Sequence, residues 1–209
     1  MPAKSRTIYL IRHGETEYNR LGLVQGSGID SDLNEVGIAQ AEAFFQHFKQ
    51  IPFKRIYTSE LKRTHQSVKN FIEAGIPWEQ HLGLNEISWG KTEGHAATPE
   101  TDKLYYDTLK SWREGDTARA INEGESPDTV AARQMPVLDI ILNRAEEDPI
   151  LICMHGRAMR ILLCLLLKQP LKRMDMFEHR NLCLYKLQLV NDAWEIRLSN
   201  FVVHPPAPY

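Results

Sequence analysis

The chain has 209 residues, 43% hydrophobic and 25% charged, with a formal net charge of −2. Such a chain can bury a core without a disulfide or metal staple, and its charge gives no reason to expect nucleic acid or an anionic membrane as a partner. Its longest apolar run, residues 161–167, falls far short of the ~20 residues that a membrane span requires.

Residues 1–6 are polar and basic, and no long apolar stretch follows to make them a secretory leader. Residues 7–11, TIYLI, predict a buried strand ending at Arg12. A polar, glycine-bearing loop covers 14–33. Asn34 then caps a helix whose predicted buried face is Ile38, Ala41, Phe45 and Phe48. Residues 54–58 predict a second strand, with Ser59 capping a helix through Phe71. From 77 to 125 glycines and prolines break the pattern, except for an amphipathic helix around Leu104, Tyr105, Leu109 and Trp112. The segment at about 93–125 reads as a cap-like insertion, too short for a core of its own.

Ser126-Pro127 is a helix start, and Val137, Leu138, Ile141 and Leu142 face inward from that helix. Pro136 should kink it or divide it in two. Residues 149–154 predict a third strand ending at His155. A helix over about 158–167 follows, then strands over 182–190 and 194–198, and an extended tail at 205–208. Cys153, Cys164 and Cys183 lie in apolar stretches with no CxxC pair, which points to buried reduced thiols and a cytoplasmic protein. Strands alternating with helices predict an α/β fold: a three-layer sandwich with a mostly parallel central sheet flanked by helices, one domain over 1–209 carrying the insertion.

In such a sheet the carboxyl ends of the parallel strands share one edge, where ligands bind. Arg12-His13, Ser59 with Arg63, and His155-Gly156 each follow a predicted strand, so two histidines and two arginines should meet in one pocket. Guanidinium forks match phosphoryl oxygens, and glycine after each histidine lets backbone approach closely. Helix starts beyond Ser59 and Gly156 would add N–H groups. An imidazole held there can attack phosphorus through one nitrogen while a hydrogen bond fixes the other. Any one of these residues alone is more often structural or solvent-facing; their convergence carries the reading. No HxH, DxD or HExxH spacing supports a metal site, and neither metal nor cofactor is expected.

Leu10-Ile11-Arg12-His13-Gly14-Glu15-Thr16, with Asn19 following, resembles the signature of the histidine phosphatase superfamily, phosphoglycerate mutase-like branch. Leu33 to Gly37 with Gln40-Ala41 looks like that family's first helix, and Ser59 to Thr64 with Gln66 like its second arginine motif. Leu84-Asn85-Glu86 through Gly94 looks like its acid-bearing loop. Gly124-Glu125-Ser126 and His155-Gly156 with Arg160 complete the order. The resemblance implies that His13 is the nucleophile and becomes phosphohistidine. It implies that Arg12, Arg63 and His155 clamp the phosphoryl oxygens, and that Glu86 is the proton donor and then the base. Asn19, Gln25, Gly26 and the Gly156 amide are implied phosphate contacts. Two residues depart from the pattern: Pro136, and Arg157, which either touches an anionic substrate or faces solvent.

The expected activity is that of a metal-independent, histidine acid-type phosphatase (a phosphoric monoester hydrolase) acting on a phosphorylated small molecule. Two alternatives stand beside it: a cofactor-dependent phosphoglycerate mutase sharing the pocket, and a non-catalytic phosphate-binding module. Val24-Gln25-Gly26-Ser27, where mutases of the family carry Thr-Gly-Trp, looks more like the phosphatases. His95, Lys103, Arg113 and Arg119 in the insertion are candidate contacts to an anionic substrate tail, while His47, His65, His81, His179 and His204 are read as structural or surface residues. A homodimer is the base-rate expectation.

Overall fold

The computed structural model describes residues 6–203; His204 and the predicted tail at 205–208 lie outside the described residues. In chain order the elements are β1 (Thr7–Arg12), α1 (Glu17–Arg20), α2 (Glu35–Phe48), β2 (Arg55–Thr58), α3 (Lys62–Glu73) and β3 (Trp78–Gln80). Then come α4 (Pro99–Glu114), α5 (Pro127–Asn143), β4 (Ile150–Met154), α6 (Gly156–Leu166), β5 (Leu184–Val190) and β6 (Ala193–Phe201). The sheet order is β3-β2-β4-β1-β5-β6, parallel from β3 to β1 and antiparallel at β5 and β6. Asn191 and Asp192, both at positive φ, make the tight turn joining the last two strands. No helix among the described residues is long and apolar enough to cross a membrane.

Strand alternation explains the layers. Ile8 and Leu10 of β1 pack with Ile150, Ile152 and helices α5 and α6, whereas Tyr9 and Ile11 pack with Leu151, Cys153 and Phe44, Phe48 and Phe71 of α2 and α3. Successive side chains leave a strand on opposite faces, so one strand feeds two cores. Register then sets the functional edge. Arg12 lies opposite Met154 and Thr58 opposite Cys153, so the next residues, His13, His155 and Ser59, emerge together.

Several expectations need correction. The face that α2 buries is Gly37, Gln40, Ala41, Phe44 and Phe48, with Ile38 59% exposed. Gly37 rotates the helix inward, because a Cβ there would lie 2.1 Å from the Glu15 carbonyl oxygen. Ser59 does not cap α3, which starts at Lys62 after Leu61. Pro136 does not divide α5, which runs unbroken through it; its ring and Ala132 lie on the exposed side, where an unbonded carbonyl meets water. The short edge strand β3 was not predicted.

Helix α4 is tied down by a cluster of ions. Arg157 of α6 is only 6% exposed, so it does not face solvent. It pairs with Asp175, lies 5.4 Å from the Trp112 ring centroid and donates to the Tyr105 hydroxyl at 3.4 Å. Asp175 also meets Arg160 at 2.8 Å and Arg113 at 3.0 Å. Asp175→Asn should therefore cost about 3 kcal/mol in urea unfolding, since it strips the carboxylate from a buried guanidinium. Arg113→Ala, removing an exposed partner, should cost less than about 1 kcal/mol.

Candidate active site

At the end of β1, His13 N–H donates to Met154 O at 2.9 Å, fastening this residue to the strand that leads to His155. Gly14 N–H donates to Ser67 Oγ at 2.9 Å. The loop passes so close to α2 that a Cβ on Gly14 would sit 2.8 Å from Gly37 O. The His13 ring is 3% exposed, and its Nδ1 lies 2.7 Å from Gly14 O. A carbonyl only accepts, so the proton sits on Nδ1 and the lone pair on Nε2. Burial first, then the charges of Arg63 and Arg12, hold His13 well below the usual histidine pKa, against the opposing Gly14 bond. The ring is thus neutral, with a nucleophilic nitrogen, at neutral pH.

The arginines have donors to spare. Arg63 is fully buried on α3 and uses three of its donors: Nε to His155 Nδ1 at 3.2 Å, Nη1 to Ile29 O at 2.5 Å and Nη2 to Gly26 O at 3.2 Å. A guanidinium carries five N–H groups, so two stay free. Burial lowers its pKa to about 10, against attraction by Glu86 and Asp30, which still leaves it charged at neutrality. Arg12 donates from Nη1 to His179 Nδ1 at 3.2 Å, and its Nε is buried with no partner. A buried guanidinium N–H left unpaired at a sheet's ligand-binding edge calls for an anion.

His155 comes into the same site, its ring centroid 5.2 Å from that of His13, but both its nitrogens are occupied. Nδ1 accepts from Arg63, so Nε2 carries the proton and donates to Ser59 Oγ at 2.8 Å. In this geometry His155 fixes the Arg63 guanidinium rather than presenting a donor of its own. Ser59 holds His155, and further bonds link it to Thr64 and Leu61 N.

Glu86 is 7% exposed and reaches the N-terminus of α6. Its Oε1 accepts from Ile87 N at 2.9 Å and Ala158 N at 2.8 Å, and its Oε2 from Arg157 N at 3.1 Å. The carboxylate caps a helix whose own N-cap, His155, makes no side-chain cap. Arg133 of α5 fixes the Glu86 loop, donating to the carbonyls of Gly83 (2.8 Å), Asn85 (3.0 Å) and Glu86 (2.9 Å) while paired with Glu125 at 2.7 Å.

The remaining predicted contacts lie in a ring outside these groups. Asn19 Oδ1 accepts from Thr16 N (3.2 Å) and Asn181 Nδ2 (3.1 Å), and its Nδ2 donates to Gln25 Oε1 at 3.4 Å. Gly26 enters through its carbonyl, which accepts from Arg63; its Cα abuts Glu93, leaving no room for a Cβ. Gly156 packs against His179, whose ring a Cβ would meet at 2.8 Å. His179, Asn181 and Arg133 carry no signal in the sequence that marks them for the site, and His179, expected to be structural or at the surface, instead accepts from Arg12. A cavity of about 440 Å³ runs from Arg12, Asn19 and Gln25 to Trp89 and to Tyr105 and Asp102 of α4. Lys103 pairs with Asp107, Arg113 with Asp175, and Arg119 bonds Ser111, so none of these three lines it. His95 borders only an adjoining recess.

The family model described as the histidine phosphatase superfamily, branch 1, matches residues 8–202. A Yersinia pestis protein named "Probable phosphoglycerate mutase GpmB" is 31% identical over 191 residues, covering 90% of this chain and 86% of that protein. Among solved structures, a mycobacterial glucosyl-3-phosphoglycerate phosphatase in complex with VO3 superposes with a TM-score of 0.82 at 26% identity, over 93% of this chain and 99% of that one. The α-ribazole phosphatase of Shigella flexneri shares the fold at a TM-score of 0.79 and 24% identity, over 93% of this chain and 96% of that one. With the match running through nearly every element described above, the chain belongs to the histidine phosphatase superfamily, branch 1.

Proposed function

We propose that the chain is a phosphomonoester phosphatase working through a phosphohistidine on His13. The observation that carries this reading is the neutral His13 ring, its proton on Nδ1 and its lone pair on Nε2, beside two arginines with unspent donors. Nε2 attacks phosphorus while the bond to the ester oxygen breaks. The leaving oxygen takes its electron pair and a proton from Glu86, and Arg12 and Arg63 hold the non-bridging oxygens. Water then attacks the phosphorus of phosphohistidine and gives its proton to Glu86; phosphate departs, and His13 is restored. His155 and Ser59 keep Arg63 in place. The arginines supply the positive charge, so no metal is required. The buried free cysteines support a reducing, cytoplasmic setting.

The test is hydrolysis of p-nitrophenyl phosphate with acid-labile capture of phosphate on histidine. His13→Ala should lower turnover by at least about 10³-fold and abolish the capture, since the covalent route is lost. Activity should survive EDTA and be inhibited by vanadate, the mycobacterial relative having been solved in complex with VO3. The name of the Yersinia relative favours a mutase as the second reading. A mutase would interconvert phosphoglycerates only after priming with 2,3-bisphosphoglycerate and would release little free phosphate. Absence of both turnover and phosphohistidine would leave a binding module.

A further inference from the structure

We propose that the cavity beyond Arg12 is a subsite for the alcohol half of the ester, and that it selects an uncharged, hydroxyl-bearing sugar while rejecting a second anionic group. This inference rests on the phosphatase reading, which places the phosphoryl group at the Arg12 end. Only two charged side chains among the described residues line the cavity: Arg12, and Asp102 on α4. The arginine is accounted for by the phosphoryl group. Asp102 is solvent-exposed at the rim, so its carboxylate adds a screened repulsion toward a second carboxylate or phosphate and an acceptor for neighbouring hydroxyls.

The rest of the lining fits the same chemistry. Thr92 and Thr101 donate their hydroxyl protons to the carbonyls of Trp89 (2.6 Å) and Thr98 (3.1 Å), so toward the cavity they offer acceptor lone pairs, and Trp89 and Tyr105 supply aromatic surface, their rings 5.6 Å apart. A lining that combines acceptor oxygens with aromatic surface suits a ring bearing hydroxyls on its rim and C–H groups on its faces. At about 440 Å³ the space lies within the usual range for small-molecule sites, roughly 300–1,000 Å³. Arg157 meets the Tyr105 hydroxyl at 3.4 Å but is buried and paired with Asp175, and the other nearby cations, Arg12 aside, lie outside the lining. Lys91 and His95 border the adjoining recess, where Lys91 is paired with Glu123. Lys103 points its charge at Asp107 on the outer side of α4.

The experiment is a competition between glucose 6-phosphate and 3-phosphoglycerate for wild type, Asp102→Asn and Asp102→Lys, read as the ratio of kcat/KM values. The ratio within one enzyme cancels any difference in the amount of folded protein. Wild type should favour the sugar phosphate by about two- to fivefold, the scale of an exposed charge, the asparagine variant by less, and the lysine variant should favour phosphoglycerate. Adenosine 5′-monophosphate, run beside them, separates a nucleoside from a simple sugar; a stronger preference for it would overturn the sugar assignment. Wild type favouring phosphoglycerate, or a ratio unmoved across the charge series, would overturn the subsite while leaving His13-dependent hydrolysis intact. No turnover of any ester, with no phosphohistidine, would remove the phosphatase reading and this inference together.

Discussion

Glu86→Gln should slow hydrolysis of an alkyl phosphate by about 10²–10⁴-fold, the usual contribution of a positioned general acid, while formation of phosphohistidine from p-nitrophenyl phosphate should change far less. A nitrophenolate leaves as a stable anion and needs no proton, whereas an alkoxide does. The second half-reaction also needs a base, so with the activated ester the variant should show a burst of nitrophenol and then accumulate phosphoenzyme. The substitution also has a structural cost that can be separated from the chemistry. The carboxylate accepts three backbone N–H bonds, from Ile87, Arg157 and Ala158. Glutamine can keep its oxygen toward Ile87 and Ala158, but its NH2 group then faces the Arg157 N–H, for a loss of about 1 kcal/mol. That loss is read by urea unfolding and does not depend on the ester. Rapid quench with both esters decides the matter: equal losses on the two, or no accumulating phosphoenzyme, would rule out an acid–base role for Glu86.

His13, Ser59 and His155 could be brought together from strand order alone, because parallel strands in register end on one edge. Glu86 could not. Its carboxylate meets amides more than 70 residues away in the chain, and a loop carboxylate has no periodicity to mark it; only the resemblance to a known family pointed to it. Arg133 sat in a helix whose apolar face was readable, but helical spacing says nothing about which loop carbonyls a long side chain on its flank will reach. His179 was invisible for the same reason: its partners, Arg12 and Gly156, come from two other strand ends. Arg157 is turned from solvent by Asp175, 18 residues further along the chain, a partner that no local pattern marks. Periodicity identifies faces; it does not identify the long-range polar partners those faces acquire. Ile38 shows that even a face can be shifted, here by the close approach that Gly37 permits.

Stability should fall steeply once the pH drops below about 6.5, before most carboxylates titrate. Burial and the neighbouring arginines depress His13 and His155 well below the ordinary histidine value. Burial, followed by the charge of Arg12, lowers His179 to about 2. The sign follows from proton binding. Above pH 6.5 these rings are neutral in both states and the histidines contribute no pH dependence. Below it the unfolded chain takes up protons that the folded site refuses, so each step toward acid favours unfolding, down to the folded-state pKa values. One such group changes the unfolding free energy by up to about 1.4 kcal/mol per pH unit, and three by about 4. Urea titrations from pH 8 to pH 5 measure that slope directly. His179→Gln, which removes one of the three rings, should flatten it by about a third. Inorganic phosphate should flatten it in part, because burial still disfavours the His13 cation while an anion between Arg12 and Arg63 offsets the arginine charges that add to it. A stability curve level between pH 7 and pH 5.5 would mean that these histidines accept protons in the folded state, and would remove the basis for a free Nε2 lone pair on His13 in mild acid.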